Sequence, residues 1–217
     1  MAGVDASTAF SVVDLLGVAS GAASGALAAR RHFEFDIAGV VGLAVAVGLG
    51  GGLLRDVLLQ AGTPVALRDA LYLPLVTFVA VAVAMVAAEP GPRWQEPMRV
   101  LDALAVGFFA VAGAQRAAHV GDVTVPAVLL IGVIGATGGA VLRDVFTATT
   151  PEIFRRGELN AIAALLAAAV FLIADEAGLT ETGALITGFV VGFAVRLAAI
   201  RWDIRAPAPR RRPRTRA

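Results

Sequence analysis

Apolar residues gather in seven runs, at roughly 10–29, 37–60, 70–88, 98–118, 124–147, 158–176 and 183–200. Each is close to the about 17–25 residues that a helix needs to cross a bilayer. Turn-forming or charged connections separate them: Arg30-Arg31-His32-Phe33-Glu34-Phe35-Asp36, then Gly62-Thr63-Pro64, then Glu89-Pro90-Gly91-Pro92-Arg93-Trp94. The pattern predicts an all-α integral membrane protein with seven transmembrane helices. They form a single transmembrane domain over 1–206, followed by a disordered, basic, cytoplasmic tail over 207–217.

Polar positions inside the runs carry more information than the runs themselves. Gly50-Gly51-Gly52-Leu53-Leu54-Arg55-Asp56 sets three glycines and two charges within span two. A helix-interior glycine costs about 1 kcal/mol relative to alanine, and a charge at mid-membrane depth at least ~2.5 kcal/mol. The same pattern returns 88 positions later as Gly138-Gly139-Ala140-Val141-Leu142-Arg143-Asp144. At that offset, without a gap, Asp14 falls on Asp102, Gly25 on Gly113 and Arg68 on Arg156. Repeat one therefore covers about 10–88 and repeat two about 98–176, with an extra helix at about 183–200. Three spans per repeat is an odd number, so the second copy enters the membrane from the opposite side and the repeats are inverted.

Two readings of the glycines follow. Gly50, Gly51, Gly52, Gly138 and Gly139 act as pore hinges that break spans two and five, leaving half-helices of about 13 and about 8 residues beside a midplane cavity. Alternatively they let helices pack closely. The break is the expectation adopted. For Gly17, Gly21 and Gly25 in span one and Gly188 and Gly192 in span seven, close packing is the expectation.

Asp14 and Arg55 share one depth near one end of their spans, and Asp102 and Arg143 repeat this at the other end, which predicts the pairs Asp14–Arg55 and Asp102–Arg143. Asp56 and Asp144 remain. Neighbours on a helix diverge by about 100°, so Asp56 is expected to face away from Arg55, either stabilising a half-helix N-terminus or facing a conduction path. Asp14, Arg55, Asp56, Asp102, Arg143 and Asp144 are the candidate ion-pathway and gating charges. Four aspartates against two arginines favour a cation over an anion.

Composition closes off other classes. The 217 residues are 58% hydrophobic, with a mean hydropathy of +0.81. Without cysteine there is no disulfide or thiolate metal site, and the two histidines, His32 and His119, lack a second ligand nearby. No nucleophile constellation or phosphate loop occurs, so neither an enzyme, a resident metal nor a cofactor is expected, only a permeant K+ or Na+. All eighteen basic residues are arginine. Arg30, Arg31, Arg93, Arg99, Arg155, Arg156 and the tail fall on one side and Arg68 and Arg116 on the other, which puts the C-terminus in the cytoplasm and the N-terminus outside. The tail reads as a topology signal or as a site for anionic lipid headgroups, and no nucleic-acid partner is expected.

Five stretches carry a resemblance. They are Asp14-Leu15-Leu16-Gly17 with Ser24-Gly25-Ala26-Leu27-Ala28, Gly50 to Asp56, Asp102-Ala103 with Gly107-Phe108-Phe109-Ala110-Val111-Ala112-Gly113-Ala114-Gln115, Gly138 to Asp144, and Gly192-Phe193 with Arg196 to Trp202. In that order the chain resembles the prokaryotic branch of the trimeric intracellular cation (TRIC) channel family, also classified as UPF0126 or as glycine transporters. The resemblance implies a homotrimer in the inner membrane of a prokaryote, a pore within each subunit, kinks at the glycines and passage of monovalent cations, mainly potassium. Two positions depart from it: Ala140 stands at the third glycine, and Asn160 stands where an aromatic residue is expected. A secondary carrier for glycine or a similar zwitterion is the alternative function, and a membrane scaffold would leave the internal charges unexplained.

Overall fold

The computed structural model describes residues 6–31, 35–87, 92–120, 122–154 and 159–204. The tail at 207–217, and Arg155 and Arg156 from the topology count, lie outside the described residues. Eight α-helices follow one another: α1 (Ala6–Arg31), α2 (Ile37–Leu59), the single turn α3 (Val65–Arg68), α4 (Tyr72–Val86), α5 (Gln95–His119), α6 (Val125–Phe146), α7 (Asn160–Glu176) and α8 (Glu181–Arg201). Five of them, α1, α2, α5, α6 and α8, are long and apolar enough to cross a membrane. The other two long helices are shorter, 15 residues in α4 and 17 in α7.

Local chemistry sets the ends. The Asp36 carboxylate accepts the amide of Gly39 at 2.7 Å and starts α2, and the Thr180 hydroxyl does the same for Gly183 at the start of α8. Helix α2 is capped by the left-handed Gln60 (φ 50°), and the equivalent residue of repeat two, Ala148 (φ 53°), is left-handed one residue past Thr147, the cap of α6.

The packing repeats as the sequence does. Helix α1 lies against α2 and α4, and α5 lies against α6 and α7; the halves join where α1 meets α5 and α2 meets α6, while α8 packs on α5 and α7. Ser24 reaches Asp102, whereas Gly17 sits against Phe109, so α1 and α5 run antiparallel. Gly51 faces Gly135 and Gly139 faces Val47, so α2 and α6 do too. The second repeat is thus inverted relative to the first, with the equivalent residues exchanged about a pseudo-two-fold axis.

One expectation is overturned. Spans two and five are not broken at Gly50, Gly51, Gly52, Gly138 and Gly139; α2 and α6 are continuous helices through all five. The glycines are the point where the two backbones touch. A Cβ on Gly51 would overlap the carbonyl oxygen of Gly135, and its symmetry mate, a Cβ on Gly139, would overlap that of Val47. Likewise a Cβ on Gly50 would run into Leu142, and one on Gly138 would lie 2.8 Å from the Leu54 side chain. The helices keep their hydrogen bonds because removing a Cβ costs them less than breaking the ladder would in a bilayer.

Gly52 is different, since a Cβ there would meet only the Arg55 guanidinium, 3.7 Å away. That explains why the second repeat can carry Ala140 at this place. Gly17, Gly21 and Gly25 seat α1 against Phe109, the Gly48 backbone and Val47, and Gly188 and Gly192 seat α8 on Ala167 of α7. All five serve contacts between helices of one chain.

Gly51→Ala and Gly139→Ala should each lower the melting temperature in detergent by the equivalent of about 1–3 kcal/mol, the usual cost of overpacking. Gly52→Ala should be neutral or stabilising by up to about 1 kcal/mol. Equal losses at Gly51 and Gly52 would show that the crossing does not depend on backbone contact.

Candidate functional site: two buried arginine clusters

Each repeat builds the same object from its first and second helices. In repeat one the Arg55 guanidinium, 1% exposed, gives Nη1 to Asp14 Oδ1 at 2.7 Å and Nε to Asp56 Oδ1 at 2.8 Å. The Tyr72 hydroxyl donates to Asp14 Oδ2 at 2.8 Å, the Val65 amide donates to Asp56 Oδ2 at 2.8 Å, and the Phe10 ring lies 5.3 Å from Arg55 Cζ. In repeat two Arg143 gives Nη1 to Asp102 Oδ2 at 2.6 Å and Nε to Asp144 Oδ1 at 3.0 Å. The Ser24 hydroxyl donates to Asp102 Oδ1 at 2.5 Å and the Glu152 amide to Asp144 Oδ2 at 2.9 Å. The structure therefore brings together Asp14 with Arg55 and Asp102 with Arg143.

Asp56 and Asp144 do not face away from their arginines. Their Cα–Cβ directions diverge, but the arginine stem is long enough to fold back, so each aspartate becomes a second acceptor for the neighbouring guanidinium. The second oxygen of each holds a helix N-terminus, though not one of its own helix: Asp56 takes the first amide of α3, and Asp144 that of the short turn at Glu152–Phe154. Each aspartate fastens the connection that follows its helix.

Two cavities lie at opposite ends of the helix bundle, one lined by residues of the Arg143 cluster and one beside Phe10 and Val65, which cover the Arg55 cluster. One, of about 820 Å³, lies at the start of α1 and the end of α5 and is lined by Phe10, Val65, Arg68, Arg116, His119 and Glu181, among others. The second, of about 410 Å³, lies at the end of α1 and the start of α5 and is lined by Arg31, Met98, Arg143, Asp144, Thr149 and Glu152, among others. Phe10 and Met98 are repeat equivalents, as are Arg31 and His119, so the two cavities occupy inverted equivalent places, although only the second is lined by its arginine and adjacent aspartate. Between them the space shrinks to cavities of about 20 and 10 Å³, walled by Val47, Phe109, Gly139 and Asn160 and their neighbours. The middle of the helix bundle is closed by the glycine crossing and by Phe109.

Several polar residues at the site escaped the sequence reading. Tyr72 was legible, since the offset of 88 pairs it with Asn160, the position already marked as unusual. Ser24 stood inside a quoted motif, but nothing in its spacing points it at Asp102. The bond from Gln115 Nε2 to Glu181 Oε1 joins α5 to α8, and Arg196 is buried in α8; neither has a counterpart in the duplicated pattern.

With the geometry in hand, known proteins can be set beside it. A family model described as glycine transporter matches twice, at residues 11–89 and 99–176, one match per repeat. The UPF0126 inner membrane protein YadS of Escherichia coli K12 is 32% identical, over 90% of this chain and 93% of the relative. The TRIC trimeric intracellular cation channel orthologue from Rhodobacter sphaeroides superposes with a TM-score of 0.84 at 36% identity, covering 91% of this chain and 100% of that one. A second solved structure, which concerns conductance through TRIC cation channels, gives a TM-score of 0.82 at 29% identity, over 94% and 98% of the two chains.

Asp14→Asn should cost about 3–5 kcal/mol of unfolding free energy, because it removes the main partner of a guanidinium held away from water. Tyr72→Phe leaves that pair in place and should cost about 0.5–1.5 kcal/mol. Unfolding measured in mixed micelles decides the order; a loss for Tyr72→Phe as large as that for Asp14→Asn would demote the ion pair.

Proposed function

Since the chain belongs to the family described as glycine transporter, which includes the UPF0126 membrane proteins, we propose that it is a passive channel for monovalent cations, mainly potassium. The conduction path runs inside each subunit of a homotrimer. What carries this reading is the pair of cavities at opposite ends: one is lined by Arg143 and Asp144, and the other is separated from the Arg55 cluster only by Phe10 and Val65, which touch it. Two carboxylates per guanidinium leave each cluster with an excess negative charge that favours a cation near it. The solved TRIC cation channels at 36% and 29% identity supply the same direction of argument.

In the proposed channel seven helices cross the membrane. Helices α4 and α7 are about 23 and 26 Å long at 1.5 Å per residue, slightly under the hydrocarbon thickness, and the short turns beside them make up the difference. The N-terminus lies outside and the C-terminus in the cytoplasm of a prokaryotic cell. The closed middle makes this conformation non-conducting, and the arginines act as latches that must shift before an ion passes.

A second reading, a carrier for glycine or a similar zwitterion, draws on the family's description and on the larger cavity. That cavity presents Arg68 and Arg116 together with Asp69 and Glu181, a mixture suited to a carboxylate and an ammonium on one molecule.

Planar-bilayer recording of the purified protein under a potassium chloride gradient should give discrete unitary currents that reverse near the potassium potential, with or without glycine. A silent bilayer, with glycine uptake into proteoliposomes from the same preparation, would establish the carrier. In a conducting channel, Asp56→Asn combined with Asp144→Asn should move the reversal potential toward that of chloride; no movement would limit these residues to fastening the connections.

A further inference from the structure

The two halves differ where they would be expected to match. In repeat one Tyr72, 1% exposed, fills the space beside Asp14 and bonds to it. Its equivalent in repeat two is Asn160, 7% exposed, which is too short to do either. Asn160 Nδ2 turns instead to Glu152 Oε2 at 3.3 Å, and Glu152 itself replaces Pro64 of repeat one. The two departures thus meet each other. Asp102, lacking the tyrosine, takes its second hydrogen bond from Ser24, a residue of the other repeat.

The exchange leaves a space and an oxygen. Asn160 Oδ1 is buried without a hydrogen-bond partner. Its orientation is fixed, since turning the amide over would set that oxygen against the Glu152 carboxylate. Asn160 borders both of the small cavities: one, of about 20 Å³, also touches Asp102 and Gly139, and the other, of about 10 Å³, touches Thr137 and Asp144. The larger exceeds the ~10–15 Å³ needed by one water, a particle of about the size of a bare potassium ion. Asp102 and Asp144 together outweigh Arg143 by one negative charge, Glu152 Oε2 stands a further 3.9 Å from Arg143 Nη2, and the apolar walls of Val47, Val106, Phe109 and Ala136 weaken screening of that negative field.

We propose that Asn160 Oδ1 and the Asp102 carboxylate bind one dehydrated monovalent cation between α5, α6 and α7, a site that only the second repeat possesses. Among the described residues no three acidic or imidazole groups converge as a divalent centre would require. One carboxylate and one neutral oxygen hold an ion firmly enough to enter and loosely enough to leave. As a station on the path, the site rests on the channel reading; as a binding site it does not.

The melting temperature of the purified protein in potassium chloride, against N-methyl-D-glucamine chloride at equal ionic strength, tests this. Wild type should gain roughly 2–4 °C in potassium, since a ligand bound only by the folded state stabilises it. Asn160→Ala, which removes the oxygen, and Asn160→Tyr, which restores the residue of repeat one and fills the space, should each lose the gain. If Asn160→Tyr does not fold, Asn160→Ala decides alone. No potassium-specific gain in wild type, or a gain that survives in the variants, overturns the site. Crystals grown with thallium(I) should show anomalous density beside Asn160 Oδ1, and a water there without thallium would equally overturn it. Potassium currents without the thermal gain would remove the site and keep the channel; the gain without currents would do the reverse.

Discussion

A guanidinium inside a membrane helix must be neutralised by its own protein, and the rest of this fold follows from meeting that need twice. Arg55 and Arg143 each stand one residue before an aspartate and 41 residues after another, so one comes from the same helix and one from the first helix of the repeat. That second carboxylate is what ties α1 to α2 and α5 to α6 at a fixed depth. The remaining oxygens are engaged as well: by Tyr72 or Ser24 on the distant aspartate, by the amide of Val65 or Glu152 on the adjacent one. Withdrawing an aspartate leaves the guanidinium poorly compensated, which at buried positions costs several kcal/mol.

Between the clusters the constraint is steric. Side chains would hold α2 and α6 apart by the usual 8–10 Å, and glycine at the crossing removes that spacer. The symmetry is close to residue-by-residue: Gly51 on Gly135 is answered by Gly139 on Val47, and Gly50 on Leu142 by Gly138 on Leu54. Each helix therefore supplies both the bare surface and the surface that fills it. Duplication and inversion of one unit account for this, because a unit that fits its own inverted copy needs only one solution to the packing problem.

The ion pairs and the inversion were readable from sequence because both depend on quantities the chain displays directly, namely depth along a span and the number of spans per repeat. The state of the glycines was not. Low helix propensity is the same local signal whether the chain unwinds or another backbone comes close, and what decides it is a helix 88 residues away. The direction of Asp56 was not legible for a related reason: the 100° rule describes Cα–Cβ vectors, whereas an arginine carries its charge far enough from the backbone to curl around them. Ser24 was illegible because its bond to Asp102 crosses from one repeat to the other, and a duplicated pattern reports only what is the same in both.

That crossing bond also bears on how the two ends communicate. Asp14, Arg55, Asp56 and Tyr72 all belong to repeat one, so in the proposed channel the first latch can release without breaking the second repeat's internal bonds. The second latch borrows one hydroxyl from repeat one and otherwise stands alone. A carrier needs the opposite arrangement, since opening one end must enforce closure of the other, and that calls for residues shared between latches or a rigid body that rocks against both. Here the shared surface interlocks Leu142 with Gly50, Leu54 with Gly138 and Phe109 with Gly17, but among the described residues no ion pair joins one arginine cluster to the other. In the proposed channel, latches whose ionic partners all lie within their own repeats can be open together, and a path open at both ends is a channel.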